Sequence, residues 1–254
     1  MNALDRFEAT FDFHLATTSV LRERAYALRH AVFRRELDYR MHEDPEARLE
    51  YDDHDTASLI VLLEHRASGI PAGCVRLVPS LTEGPEPLRR LPLEAHCRDS
   101  LTHPVLHPDY LPRDRLCEIS RLAISPVFRH RAETRDHSAA PSLFPAEERA
   151  GFALIGVGLF LAATALVGLA GRHHVFAMMQ HRLPRRLAIH GLRFTCVGEP
   201  VTFHGLRRAY YIDQRQAVSE LPPELRALYS RIEATLTHQT RVPAPHRAGL
   251  SSEI

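Results

Sequence analysis

Apolar residues recur every three or four positions after residue 19, with Leu21, Ala25, Leu28 and Val32 on one stripe and Ser19 placed to cap the first turn. This spacing predicts a helix over residues 19–37. Arg29 and Phe33 lie four residues apart on a neighbouring stripe. The period then shortens. Residues 57–64 (ASLIVLLE) and 72–78 (AGCVRLV) flank Gly69 and Pro71 and read as the two strands of a hairpin. Six prolines from Pro85 to Pro112 exclude long helices from residues 79–113, which predicts a surface excursion that walls or lids a pocket. Residues 116–125 (LCEISRLAIS) predict a central strand, and 129–146 a polar loop. A strand at 174–179, a helix at 183–190 and two strands at 194–204 and 207–212 around Gly205 follow. Pro222 and Pro223 start a last helix at 224–236. Nothing repeats and no linker divides the chain, so one domain is expected over 1–239, followed by a disordered tail at 240–254.

Residues 150–171 (AGFALIGVGLFLAATALVGLAG) carry no charge, and about 20 such residues are enough to cross a bilayer. A helix hydrophobic all round is either a membrane span or a core helix. Five glycines, many alanines and more than 80 further residues with strand and helix patterns favour the core helix.

Over 254 residues, 44% hydrophobic and 25% charged, there is enough apolar material for a sizeable core, which excludes a disordered or collagen-like polymer. Thirty-two basic and 31 acidic residues leave a net charge of +1, so the bulk charge points to no nucleic acid partner and at most to peripheral contact with a membrane. Cys74, Cys97, Cys117 and Cys196 form no close pair of the kind that binds zinc or cycles redox, and are expected as buried free thiols. His103-x-x-x-His107 spans Pro104, and neither it nor His173-His174 has an acidic or cysteine partner at ligand spacing. No metal and no permanently bound cofactor are expected. Residues 1–15 contain Asp5, Glu8 and Asp12 and lack the features of a signal peptide, which points to the cytoplasm.

Four short motifs occur in order: Arg29-x-x-x-Phe33, Glu50-x-Asp52-x-x-Asp55, Arg76-Leu77-x-Pro79 and Glu118-x-Ser120-Arg121. Together they resemble the acyl-homoserine-lactone synthases. Residues 26–37 (YALRHAVFRREL), 55–66 and 118–131 (EISRLAISPVFRHR) are more similar to a sister group, the exosortase-associated acyltransferases known as N-acyl amino acid synthases. The resemblance spans about residues 21–213. It implies an α/β (α+β) fold of the GNAT-like acyltransferase type, a mixed central sheet flanked by helices. It also implies transfer of a medium- or long-chain acyl group from a thioester to an amine. Tyr39 stands where the signal synthases carry Trp, and the Pro-rich stretch has no clear match to their substrate-contacting Phe. These departures favour an amino acid over S-adenosylmethionine as acceptor. A non-catalytic acyl-binding or membrane-associated module using residues 150–171 is a third reading, from another class.

Making an amide from a thioester needs a neutral amine, an acceptor for its proton, donors for the developing oxyanion and a slot for the acyl chain. Glu118 is the candidate proton acceptor, directly or through a water, with Arg121 beside it; a strand carboxylate also serves simply to neutralise a buried arginine. Arg29 and Arg76 on apolar elements are costly unless paired, so a network with Asp52 and Asp55 lining one cleft is expected. The resemblance adds Phe33 and Ser120 as substrate contacts. Regular alternation puts Leu116, Glu118, Ser120, Leu122 and Ile124 on one face and Arg121 on the other. The resemblance implies a bulge here that would bring Glu118 and Arg121 to one side. The loop after Phe128 has no glycine-rich pyrophosphate turn, which disfavours coenzyme A. The expected donor is the acyl-phosphopantetheine of acyl carrier protein, met by Arg129 and Arg131, with Arg182, Arg185 and Arg186 facing the acidic carrier.

Overall fold

The computed structural model describes residues 2–129 and 143–241. Phe11, Phe13 and Leu15 alternate with Asp12 and His14, and this half-buried pattern forms an edge strand that the sequence reading had not placed. It follows a short capped helix. The order begins α1 (Ala3–Thr10), β1 (Phe11–Leu15) and α2 (Ser19–Arg29). The cap of α2 is Thr18, one residue before the Ser19 that the pattern indicated: Thr18 Oγ accepts from the Leu21 N–H at 3.3 Å. From His30 to Glu36 the coil widens into a π-helical run. β2 (Glu43–Asp44) and β3 (Leu49–Glu50) make a small hairpin, and β4 (Leu59–His65) and β5 (Pro71–Pro79) form the predicted one. The Pro-rich excursion holds only α3 (Pro92–Cys97) and single turns before β6 (Leu116–Ile124).

Beyond it come α4 (Ala146–Arg149), α5 (Ile155–Leu169), β7 (His174–Met179) and α6 (Arg182–Ala188). The strand expected at 194–204 is broken into β8 (Thr195–Cys196) and β9 (Val201–Thr202), after which β10 (Leu206–Asp213), α7 (Gln214–Ser219) and α8 (Pro223–Arg241) complete the order. Thr240, assigned by its sequence to a disordered tail, is in α8; residues 242–254 lie outside the described residues.

The main sheet runs β1-β4-β5-β6-β7-β10-β8, antiparallel except for β6 and β7. That parallel pair needs a crossover, and α5 supplies it. Its pairing ends at Glu118–Phe176 although both strands continue, so the sheet forks there. On one face α5, α7 and α8 share an apolar cluster with Val61, Val75, Leu77 and Ile119. Eleven of the 15 residues of α5 are buried, so the charge-free segment is a core helix. Close approach explains a glycine within it: a methyl group at Gly158 would sit 2.5 Å from Phe7 Cζ. The other face carries α2 over Ile60, Leu62 and Cys74, and the excursion over Leu116 and Phe176. Cys74, Cys97 and Cys117 are buried free thiols, whereas Cys196 is exposed, contrary to expectation.

Candidate active site

The α2 face gathers three arginines and three carboxylates. Arg29 Nε donates to Glu50 Oε2 (2.5 Å), while its Nη1 and Nη2 donate to Oδ1 and Oδ2 of Asp55 (2.7 and 2.8 Å). Arg76 Nη1 lies 3.0 Å from Asp55 Oδ2 and 2.6 Å from Asp52 Oδ1. Arg121 Nη2 donates to Asp52 Oδ2 (2.8 Å) and its Nε to Glu50 Oε1 (3.0 Å). The six groups close an alternating ring: Arg29, Glu50, Arg121, Asp52, Arg76, Asp55. Glu50, present in the sequence motif but given no role there, is the link that closes it. A short turn sets the acidic side, with Asp55 Oδ2 accepting the Asp52 N–H at 2.9 Å.

Opposite charges in a dry site hold each other ionised. Burial alone would push both Asp52 and Asp55 up, but Arg76 and Arg121 around Asp52, and Arg29 and Arg76 around Asp55, keep both carboxyls below their ordinary values. Arg29, Arg76 and Glu50 are fully buried, whereas Asp52 and Arg121 keep 23% and 18% of their side chains exposed. The ring therefore meets solvent through Arg121 and Asp52.

Arg121 reaches this face because β6 is bulged. Cys74 pairs with Ala123 and Arg76 with Ser120, so Val75 stands opposite two residues, Arg121 and Leu122. Arg121 takes a left-handed φ of 53°. The extra residue moves Leu122 and Ile124 to the α5 face, correcting the regular alternation that grouped them with Glu118. Glu118 and Arg121 share one side, but they are not partners. Glu118 Oε2 accepts the Leu93 N–H at 2.7 Å, from the first turn of α3. Burial raises the Glu118 carboxyl to about 7, against the lowering effects of that N–H, Arg76 and Arg121. A carboxyl so poised can take and return a proton near neutrality. Arg76 Nε donates to Ser120 Oγ (3.2 Å), while its buried Nη2 has no partner among the described residues.

Phe33 is buried beside Leu28, Val32 and Ile60 and stacks on Tyr39, so it sits in the core under α2. Arg129 pairs with Glu36, which meets its charge, and Arg131 lies outside the described residues. A small apolar pocket of about 30 Å³ lies under the fork, lined by Ile119, Phe160, Val175, Ala177, Leu192 and Phe194 among others. Phe194 also borders an open cleft of about 580 Å³ on the far side, with Arg185, Arg207, Arg208 and Cys196. Among the described residues, Arg182, Arg185, Arg186, Arg207 and Arg208 have no carboxylate within ion-pair distance. No group of three or more His, Cys, Asp and Glu residues among the described ones is arranged to hold a metal.

The model of the acetyltransferase (GNAT) domain family matches residues 28–135, the segment that holds the ring and Glu118. No curated protein matches the sequence. Among solved structures, TofI in a ternary complex with an inhibitor and MTA is 20% identical, with a TM-score of 0.55 over 86% of this chain and 99% of that one. BjaI, a CoA-dependent acyl-homoserine lactone synthase solved with SAM and isopentyl-CoA, is 18% identical, with a TM-score of 0.55 over 88% of this chain and 89% of its own. FeeM, an N-acyl amino acid synthase from uncultured soil microbes, is 12% identical, with a TM-score of 0.54 over 83% and 94%. The chain shares with them a GNAT-like fold.

Proposed function

We propose that this chain is an N-acyltransferase that moves a medium- or long-chain acyl group from the thioester of acyl carrier protein to the amine of an amino acid. The observation that carries the reading is Glu118: a sealed carboxyl, poised near 7, at the point where β6 and β7 part. Beyond that point β7 no longer pairs with β6, so the β7 side of β6 can offer main-chain N–H groups to pantetheine and to the thioester carbonyl. The amine would lie over Arg121 and Ser120, lose its proton toward Glu118 and attack the carbonyl carbon. The tetrahedral intermediate then expels the thiolate. An acyl tail fits the apolar pocket under the fork only if Phe194 or its neighbours give way, since about 30 Å³ admits only about two or three water-sized groups. Arg182, Arg185, Arg186, Arg207 and Arg208, with no carboxylate in ion-pair distance among the described residues, would form the surface that suits an acidic carrier protein.

A second acceptor is supported by the fold shared with BjaI, which was solved with SAM. S-adenosylmethionine in place of the amino acid would make this chain an acyl-homoserine lactone synthase. One experiment separates these readings: purified protein is given acyl carrier protein or coenzyme A thioesters with amino acids or S-adenosylmethionine, and mass spectrometry reads acyl chain and head group together. An amide-linked amino acid made faster from the carrier thioester supports the proposal, and a lactone refutes its acceptor. Equal rates from both thioesters refute its donor. Glu118→Gln should lower kcat by roughly 10²–10⁴-fold with little change in donor binding.

A further inference from the structure

Five rings touch one another in a continuous chain. His96 stacks on Phe203 (centroids 4.2 Å apart), Phe203 contacts His204 (4.4 Å), His204 stacks on Tyr39 (4.5 Å) and Tyr39 lies parallel to Phe33 (6.2 Å). The chain joins segments distant in sequence: α3, the turn between β9 and β10, and the stretch after the π-helical run. Strained backbone supports it. Among the described residues, the non-glycine positions with φ near +50° are Asp38, Arg48, Arg121 and His204. Asp38 precedes Tyr39 in the stack, Arg48 leads into the Glu50 strand, Arg121 is the bulge and His204 is itself a member. Such conformations persist where surrounding structure over-determines them.

Two members carry chemistry. Among the described residues, no protein hydrogen bond to a ring nitrogen of His96 or His204 occurs. Burial, then the charge of Arg121, holds His96 below its ordinary value against the opposing pull of Asp52; burial, then Arg207, Arg121 and His96, do the same for His204. Both rings are therefore biased toward the neutral form, which keeps a lone pair. His96 lies three residues beyond Leu93, whose N–H holds Glu118, so one short helix fixes both the carboxyl and an imidazole that lies partly under other groups and partly at the surface.

Amide formation has a proton to dispose of. An ammonium acceptor loses one proton to become nucleophilic and a second when the C–N bond forms. The departing thiolate keeps one as the C–S bond breaks, so each turnover releases one proton to water. Glu118, 3% exposed, can accept that proton but cannot hand it to solvent. We infer that His96 and His204 are the proton exit of this site, relaying to water the proton that leaves the amine. The inference rests on the acyltransferase reading.

Two variants test it separately. His96→Phe keeps a ring to stack on Phe203 but removes the nitrogens. His204→Asn removes the imidazole with a residue that tolerates positive φ. Amide formation is followed from about pH 5.5 to 9, with and without added imidazole, beside thermal melts. Each variant should lose about tenfold or more in kcat at pH 7, with the donor KM unchanged, a displaced acid limb and partial recovery in imidazole. A kcat within about twofold of wild type at every pH in both variants overturns the proton exit, as does a loss that imidazole never restores in variants that melt normally. Wild-type protein that makes no amide with any donor and acceptor overturns the acyltransferase reading instead.

Discussion

On one face of the sheet α5 enters an apolar cluster without a single charge among its 15 residues; on the other, α2 delivers Arg29, fully buried, into a closed ring of six ions. Both faces are largely buried, yet they depend on different things. The apolar face is held by volume, and its cost of change follows the cavity created. The charged face is held by completeness: the ring contributes little net stability over an apolar replacement, but the removal of one member takes from each of its two neighbours one of the two opposite charges that hold it. The first face therefore tolerates conservative change, while the second fixes a geometry. That suits a face whose rim, Arg121 and Asp52, borders the proposed site.

The contrast is broken most sharply at Arg29. Arg29→Ala should cost about 3–5 kcal/mol in chemical denaturation, because Glu50 and Asp55 lose a partner they cannot replace. Arg29→Lys should recover little, since an ammonium cannot reproduce the forked contact to both Asp55 oxygens. A loss below about 1 kcal/mol would show that water reaches the ring. Next comes Leu161, fully buried in α5: Leu161→Ala should cost about 2–5 kcal/mol, but Leu161→Met less than about 1.5. If Leu161→Met cost as much as the alanine change, the apolar face would also be held by exact shape.

Acid and base should then separate the faces without mutation. Asp52 and Asp55 are held below 3.8, so the stability they supply is present above about pH 4 and is lost as pH falls through their lowered values. Glu118 runs the other way. Its folded value, about 7, lies above the unfolded 4.5, so its contribution is full below 4.5 and is lost as pH rises toward 7. Melting curves of Glu118→Gln should accordingly lack the decline that wild type shows between about pH 5 and 7, a difference that Leu161→Ala should leave intact. An identical decline in Glu118→Gln would place the titration elsewhere. The smallest change is expected at the exposed Arg129–Glu36 pair, where Arg129→Ala should shift stability by no more than about 1 kcal/mol.

Much of the apolar face was legible along the chain. The charge-free run of α5, the β4–β5 hairpin and the turn at Gly205 follow from local composition and period, and these local signals agree with the fold. The alternation Phe11, Phe13, Leu15 was equally readable and marks β1, although no element was assigned before residue 19. The charged face was legible only as a set of residue types. Arg29, Arg76, Asp52 and Asp55 were expected in one network, but the part of Glu50 in closing it depends on the β2–β3 hairpin placing it between Arg29 and Arg121. Arg121 was expected to partner Glu118; it pairs with Glu50 and Asp52 instead, and Glu118 is held by a main-chain N–H from the Pro-rich excursion.

By itself, the sequence determined which segments are buried and which residues must find partners, because apolar period and unpaired charge are properties of short stretches of chain. Tertiary structure decided who the partners are. One inserted residue in β6 reverses the side every later residue faces, and it shows only in the pairing with the neighbouring strand, where Val75 stands opposite two residues. The stack from His96 to Phe33 likewise joins rings more than 160 residues apart, with no sequence spacing to announce it. Such contacts form only where folding has closed the long loops between them, and no local pattern encodes that closure.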